Sequence, residues 1–479
     1  MGRKNSPVAR KELIDLIAKY EATIAKDQQL YLDADQLADI ADWYASERRF
    51  DDAQKAISYG LRLHPGNTDL MIEQSYLYLD TQNLQRAKDV AECINEEFEP
   101  DVKMLKAELY LNEGKLEEAQ QLINSIDDAE NDLGTIIEIV NLYLDLGFQE
   151  AAKEWLDKGE IPYGHEEDFL AVKAEYLASV QKIKEAIPYF DKLIDLAPFN
   201  PAYWMGLAKC YFIIEDVEKA IEACDFALAA DEKYGEAYAY KAHCYFYLNN
   251  SDAAIENYQK AMELKAIPPE LGFMFMGMSY TNKEEWLKAN DCFDIVVQKF
   301  EEEEDPNSLL LIDTYNSKAN VLAKLGEFDE ALLMCAKARK INPDEAFIII
   351  TEGKIYLEKE MVEEADKIFK KALKASPGVE MLYMIASTYS EYNYVFQAKK
   401  YYKKAYKLDP KYGDLPERLS VISIMTNEMD DFLKFNKECS RPFEEESIQR
   451  LLSASEHRQE DEPILREILE YLKKEKRKK

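Results

Sequence analysis

Histidine is the side chain that most readily ligates a metal or moves a proton near neutral pH. The 479-residue sequence holds four, His64, His165, His243 and His457. They are scattered, and none stands in an HExxH or a Cys/His ligand spacing. There is no P-loop, no GxGxxG and no GxSxG. Carboxylates are abundant, but with 93 Asp and Glu any two could be named acid and base, so their presence selects no reaction. The seven cysteines are an odd number without paired spacing. Cys210, Cys224, Cys244 and Cys335 fall on helix positions used for packing, which reads as reduced core residues rather than a disulfide or zinc framework. These patterns point away from an enzyme, a metal site or a cofactor.

Composition narrows the partners. The formal net charge is −33, which repels duplex nucleic acid over most of the surface. The N-terminal stretch MGRKNSPVARKELIDL lacks the apolar h-region of a secretory signal, and no run approaches the roughly eighteen apolar residues of a membrane span. The expectation is a cytoplasmic protein with no integral membrane segment. Gly2 and Ser6 match the spacing of a myristoylation site; a helix cap at Ser6 followed by Pro7 explains the same residues more simply.

The elements must then carry the function, and they are organised by repetition. Ala208 and Ala220 lie twelve residues apart, and a small residue followed by Ala at the same spacing recurs eleven times. The pairs run from Ala41/Ala53, Ser75/Ala87, Ala107/Ala119, Val140/Ala152 and Ala174/Ala186 to Ala242/Ala254, Gly277/Ala289, Ala319/Ala331, Gly353/Ala365 and Ala386/Ala398. Successive steps are 34, 32, 33, 34, 34, 34, 35, 42, 34 and 33 residues. A Tyr follows the first small residue by three positions in nine cases, Tyr44, Tyr211 and Tyr389 among them, and Pro65, Pro198, Pro343, Pro377 and Pro410 close five repeats. Helix axes approach to about 8 Å only where the crossing carries small side chains. The spacing therefore predicts two short helices crossing at the Ala pair, with Pro ending the second.

A period near 34 with this pattern resembles the tetratricopeptide repeat (TPR), from about Ala34 to Pro410. Val140 at a small-residue site and Leu177 and Leu322 at Tyr sites depart from it. The resemblance implies an all-α, right-handed superhelical solenoid of about eleven hairpins with helical caps at both ends. The expected divisions are a capping helix in 1–33, repeats one to eight in 34–300, an acidic joint in 301–307, repeats nine to eleven in 308–410, and a helical cap with a basic tail in 411–479. The stretch from Asp414 to Cys439 reads as an atypical hairpin lacking the small-residue pair. Near the C-terminus, Ile464, Leu465, Ile468, Leu469 and Leu472 form an apolar stripe, which suits a cap better than a dimer or membrane contact.

In TPR proteins, helix positions 2, 5, 9 and 12 line a concave groove that grips partner peptides. Carried over by that resemblance, the groove divides into two zones. Asp35, Asp42, Asp69 and Asp101, with Glu108, Asp168 and Glu175, give an acidic lining. Met205, Phe212, Phe246, Leu271, Met274, Met278, Phe347, Ile350 and Leu357, with Ile213 and Tyr247 beside them, give an apolar one, and His243 falls on an inner-helix surface position. The implied function is a non-enzymatic protein-interaction scaffold, its partner a protein or peptide with an apolar anchor and a basic flank. A regulatory or targeting subunit of an enzyme complex is the alternative, as is a membrane-surface adaptor acting through Lys473–Lys479. Asn316 and Asn320 approach the pattern of TPR proteins that clamp acidic chaperone tails, but Thr351, Glu380 and Met384 break it.

Overall fold

The computed structural model describes residues 7–24, 31–302, 309–343, 345–454 and 462–476. Among them there are 27 α-helices and no strand. Contacts divide the chain into two compact units, Met1–Glu232 and Lys233–Lys479.

The first unit opens with α1 (Pro7–Ile24), followed by six hairpins. These are α2 (Ala34–Ser46) with α3 (Phe50–Leu63), α4 (Thr68–Asp80) with α5 (Leu84–Ala91), and α6 (Pro100–Asn112) with α7 (Leu116–Ile123). Then come α8 (Leu133–Asp145) with α9 (Gln149–Tyr163), α10 (Glu167–Ser179) with α11 (Ile183–Leu196), and α12 (Pro201–Ile213) with α13 (Val217–Ala230). The α1 helix seats Ile17 and Tyr20 in one cluster with Leu37, Ala41 and Tyr44, covering the first hairpin's open face.

The second unit continues with α14 (Gly235–Tyr247) and α15 (Ser251–Glu263), α16 (Pro269–Asn282) and α17 (Trp286–Glu302), and α18 (Leu309–Lys324) and α19 (Phe328–Ile341). It goes on through α20 (Ala346–Glu358) and α21 (Val362–Ala375), and α22 (Val379–Glu391) and α23 (Val395–Leu408). It ends with α24 (Leu415–Met425), α25 (Met429–Asn436), α26 (Glu445–Ala454) and α27 (Glu462–Lys476). The 42-residue step falls here, where α17 and α18 are 17 and 16 residues long against 13 or 14 in the other hairpins of this unit up to α23. Most of the expected joint, from 303 onward, lies outside the described residues, as do Gly2, Ser6 and Arg477–Lys479.

The repeated pairs are the helix crossings. The second Ala is wholly buried in all eleven hairpins. Gly replaces the first Ala where an aromatic ring fills the crossing: a Cβ on Gly277 would stand 2.6 Å from Phe293, and one on Gly353 would stand 2.1 Å from Phe369. Ser75 keeps its hydroxyl satisfied across the crossing by donating to the Ala87 carbonyl at 2.5 Å.

The turn between the paired helices is just as regular. Seven residues after each first small residue, the chain enters the left-handed region, at Arg48, Gln82, Gln181, Glu215, Asn249, Glu284, Glu360 and Asn393, or at Gly114, Gly147 and Gly326. The next N–H donates back to the carbonyl at the Tyr position, as from Arg49 to Tyr44 (2.8 Å), Asp216 to Tyr211 (2.9 Å) and Tyr394 to Tyr389 (2.8 Å). This is a Schellman termination, which satisfies carbonyls the helix end would otherwise orphan. Asn427 has the same backbone (φ 56°), and Glu428 N–H donates to Ser423 O at 2.9 Å. Counting back places the wholly buried Ser420 at the small-residue site and Phe432 where Ala is expected. The 414–439 segment is thus a twelfth hairpin, of α24 and α25 in the same register, which keeps a small first residue but lacks the full pair because Phe stands at the crossing.

That Phe432 ring joins Ile424, Ile448, Ile464, Leu465 and Ile468 in a terminal cluster. The apolar stripe of α27 is therefore packed within its own unit, with Ile464, Leu465 and Ile468 buried and Leu469 and Leu472 half-buried against the same cluster.

Candidate functional site

The first unit contains an open cleft of about 740 Å³, lined by α2, α4, α6 and α8. Its walls carry Asp35, Asp69, Asp101, Glu108, Glu138 and Asp145, and among the described residues no Lys, Arg or His lines it. Each helix contributes from its first turn or one face, so carboxylates recur about every hairpin. Burial, with the nearby charges of Asp80 and Asp145, raises Glu108 to about 7. Burial and Asp42 raise Asp80, and burial raises Glu138. The direction is the same for all three because desolvation and like charge both disfavour a carboxylate.

Four expected acidic residues, Asp35, Asp69, Asp101 and Glu108, meet in this cleft, while Asp168 and Glu175 do not line it. Asp42 is exposed beside it and acts on Asp80. Glu73, Tyr76, Glu138, Asn141 and Asp145 line the cleft too and were missed. They occupy positions 6, 9 and 13, and a stripe at 2, 6, 9 and 13 fits helical spacing as well as one at 2, 5, 9 and 12.

The apolar expectations divide. Met205 and Leu357 are only 1% and 2% exposed, and Ile350 and Met274 only 6% and 8%, so none of the four presents a free surface. The reason for the latter two is visible. Position 5 falls in the crease between successive first helices: Met274 packs with Phe293, Leu311 and Tyr315, and Ile350 with Met381, Leu382 and Ile385. Phe212, His243, Phe246, Leu271 and Met278 are half-buried. Tyr247 and Phe347 are 55% and 62% exposed. An unanticipated residue, Phe275, organises the half-buried rings: His243 and Phe246 meet it edge-on at 5.9 and 5.8 Å, and Tyr258 stacks on it at 5.3 Å. Burial lowers the His243 pKa, which describes a packing histidine. Among the described residues no group of three or more His, Cys, Asp or Glu converges as a metal site, and no helix is long and apolar enough to cross a membrane.

Tandem helical hairpins with small-residue crossings and a recurring left-handed turn define an all-α repeat solenoid, a class that works by presenting surfaces. Family models described as tetratricopeptide repeat match residues 172–235 and residues 235–267, 312–345, 349–378 and 379–412. The chain is a tetratricopeptide-repeat protein, and that family supports a protein-interaction scaffold. It is 21% identical over 207 residues to DnaJ homolog subfamily C member 7 of Homo sapiens, covering 41% of this chain and 40% of that protein. It is 32% identical over 84 residues to RNA polymerase II-associated protein 3 of Mus musculus, covering 18% and 13%. The chain thus spans about two fifths or less of these curated relatives. Among solved structures, a tetratricopeptide repeat protein from Parabacteroides merdae aligns with a TM-score of 0.44 at 15% identity, over 53% of this chain and 98% of that one. The APC/C hetero-tetramer Cut9–Hcn1 aligns with a TM-score of 0.37 at 14% identity, over 81% and 90%.

Proposed function

We propose that the protein is a non-catalytic adaptor of the cytoplasm whose first unit holds a lysine- or arginine-rich segment of a partner protein in its acidic cleft. The observation that carries this reading is the cleft itself: carboxylates from four successive hairpins face one space, and among the described residues no basic side chain lines it. A basic segment would neutralise them and leave Glu108 ionised. The free state of all seven cysteines suits a reducing compartment.

Fluorescence anisotropy with a labelled oligo-arginine peptide tests the proposal. Asp101→Asn with Glu138→Gln and Asp145→Asn should weaken binding by about tenfold at low salt, and by less as salt screens the remaining charges. Binding to the parent should also weaken below about pH 7, where Glu108 takes up a proton. Equal binding by the triple variant would overturn the reading.

A further inference from the structure

The outer face of the second unit carries the opposite charge. The sequence of α23, VFQAKKYYKKAYKL, has five lysines and no carboxylate. In α21, VEEADKIFKKALKA, four lysines follow the acidic first turn. In a chain where Asp and Glu outnumber Lys and Arg by 93 to 60, such a concentration goes against the prevailing charge.

Helix geometry puts these lysines on solvent-facing stripes. Lys367, Lys371 and Lys374 share the exposed side of α21, and Lys400, Lys404 and Lys407 that of α23. The spacings are i, i+4, i+7 on both helices. The Tyr401 hydroxyl, donating to Asp366 Oδ1 at 2.7 Å, ties the two helices together. Neighbouring lysines on the same elements are neutralised locally: Lys370 by Asp366, Lys403 by Asp431 and Lys399 by Glu428 and Asp431. Lys371, Lys374, Lys404 and Lys407 make no ion pair among the described residues. Lys400 and Lys404 instead lean over the Tyr401 ring, at 5.5 and 5.0 Å. On the same side of α23, Phe396 and Leu408 are 70% and 63% exposed at either end of the lysine stripe.

We infer that the α21–α23 outer face is a second interaction surface, which docks an acidic peptide segment of a partner protein carrying apolar residues among its carboxylates. Charge complementarity selects the acidic class. Within a Debye length of about 8–10 Å the unpaired lysines dominate the local field. Farther out the −33 chain repels large polyanions, so a short acidic segment is admitted at less cost than a duplex or an anionic bilayer. Phe396 and Leu408 give such a segment apolar contacts that a nucleic acid backbone does not need. This surface is independent of the acidic cleft and takes a ligand of opposite charge.

The test uses the full chain and a fluorescein-labelled peptide of alternating glutamate and leucine, with duplex RNA and phosphatidylserine vesicles as parallel probes. The peptide should bind at low salt. Lys371→Glu, Lys374→Glu, Lys404→Glu and Lys407→Glu together should weaken it by at least about tenfold, with helicity retained by circular dichroism. Reversing four exposed lysines of the first unit, Lys153, Lys182, Lys184 and Lys192, changes net charge equally and should leave binding within about twofold. Phe396→Ser should weaken the leucine-containing peptide but not an all-glutamate one. Equal losses in the two reversal variants, an unaffected peptide affinity, or tighter binding of RNA or vesicles than of the peptide would each overturn the proposal.

Discussion

At the scale of single residues, the left-handed turn positions separate backbone preference from packing. A non-glycine residue there is disfavoured by about 1–2 kcal/mol, yet Glu215 and Glu360 both adopt it, at φ 64° and 58°. Glu360→Gly should therefore stabilise the α20–α21 hairpin by roughly 1 kcal/mol, less the added freedom of the unfolded chain. Gly326→Ala should destabilise α18–α19 by about 1 kcal/mol, since nothing crowds the site but φ is 83°. Residue-resolved hydrogen exchange reads both. Glu108 gives a pH dependence of definite sign. Its folded pKa lies near 7 against an ordinary 4.5, so the folded state binds the extra proton between these values. Stability consequently falls as pH rises from about 4.5 to about 7. Glu108→Gln should stabilise the protein at pH 8 by about 1 kcal/mol or more and have little effect at pH 4, as urea unfolding of the first unit would show.

At the scale of elements, α23 is fastened to the twelfth hairpin by a buried charge. Lys399 Nζ reaches Thr426 Oγ1, Glu428 Oε1 and Asp431 Oδ2, each at 2.9 Å. Burial alone would raise Asp431; hydrogen bonds from Lys403 and Lys399 outweigh it and bring the group down to about 2. A depressed carboxylate contributes stability above its unfolded pKa near 3.8 and loses it as pH falls toward 2. Lys399→Met should destabilise the α23–α25 region by about 1–3 kcal/mol, because it removes the buried cation shared by Glu428 and Asp431 and leaves Asp431 only Lys403. Ile468→Asp should open the terminal cluster, promote aggregation and leave exchange in the first unit unchanged, since Ile468 is wholly buried there. The eleven regular hairpins were legible because the second crossing position is alanine every time, a packing requirement written in one letter, twelve residues after a first position that is small in all but Val140. The twelfth was legible only as an atypical hairpin, because Phe432 breaks that letter; its register shows in the turn, fixed by the sign of φ at Asn427. The acidic lining was legible as composition. Its membership was legible only in part: Asp35, Asp69, Asp101 and Glu108 line the cleft as read, but Glu73, Glu138 and Asp145 were not separable, since two helical stripes one residue apart fit the same spacing and only packing decides between them.

At the scale of the whole molecule, charge is sorted rather than spread: carboxylates collect in a cleft of the first unit and unpaired lysines on an outer face of the second. An excess of 93 acidic over 60 basic residues conceals this sorting, since a sum carries no positions. The repeating turn has a consequence for how the chain comes apart. Each turn bond links residues only five apart, as from Arg49 to Tyr44, and each crossing joins residues twelve apart. Nearly all the order is therefore of low contact order, closed within a hairpin or between neighbours. Such a chain has no single nucleus that must form before the rest, and it need not melt in one step. Calorimetry should show an endotherm broader than a two-state transition, and damage to one hairpin should fade within a neighbour or two along the chain.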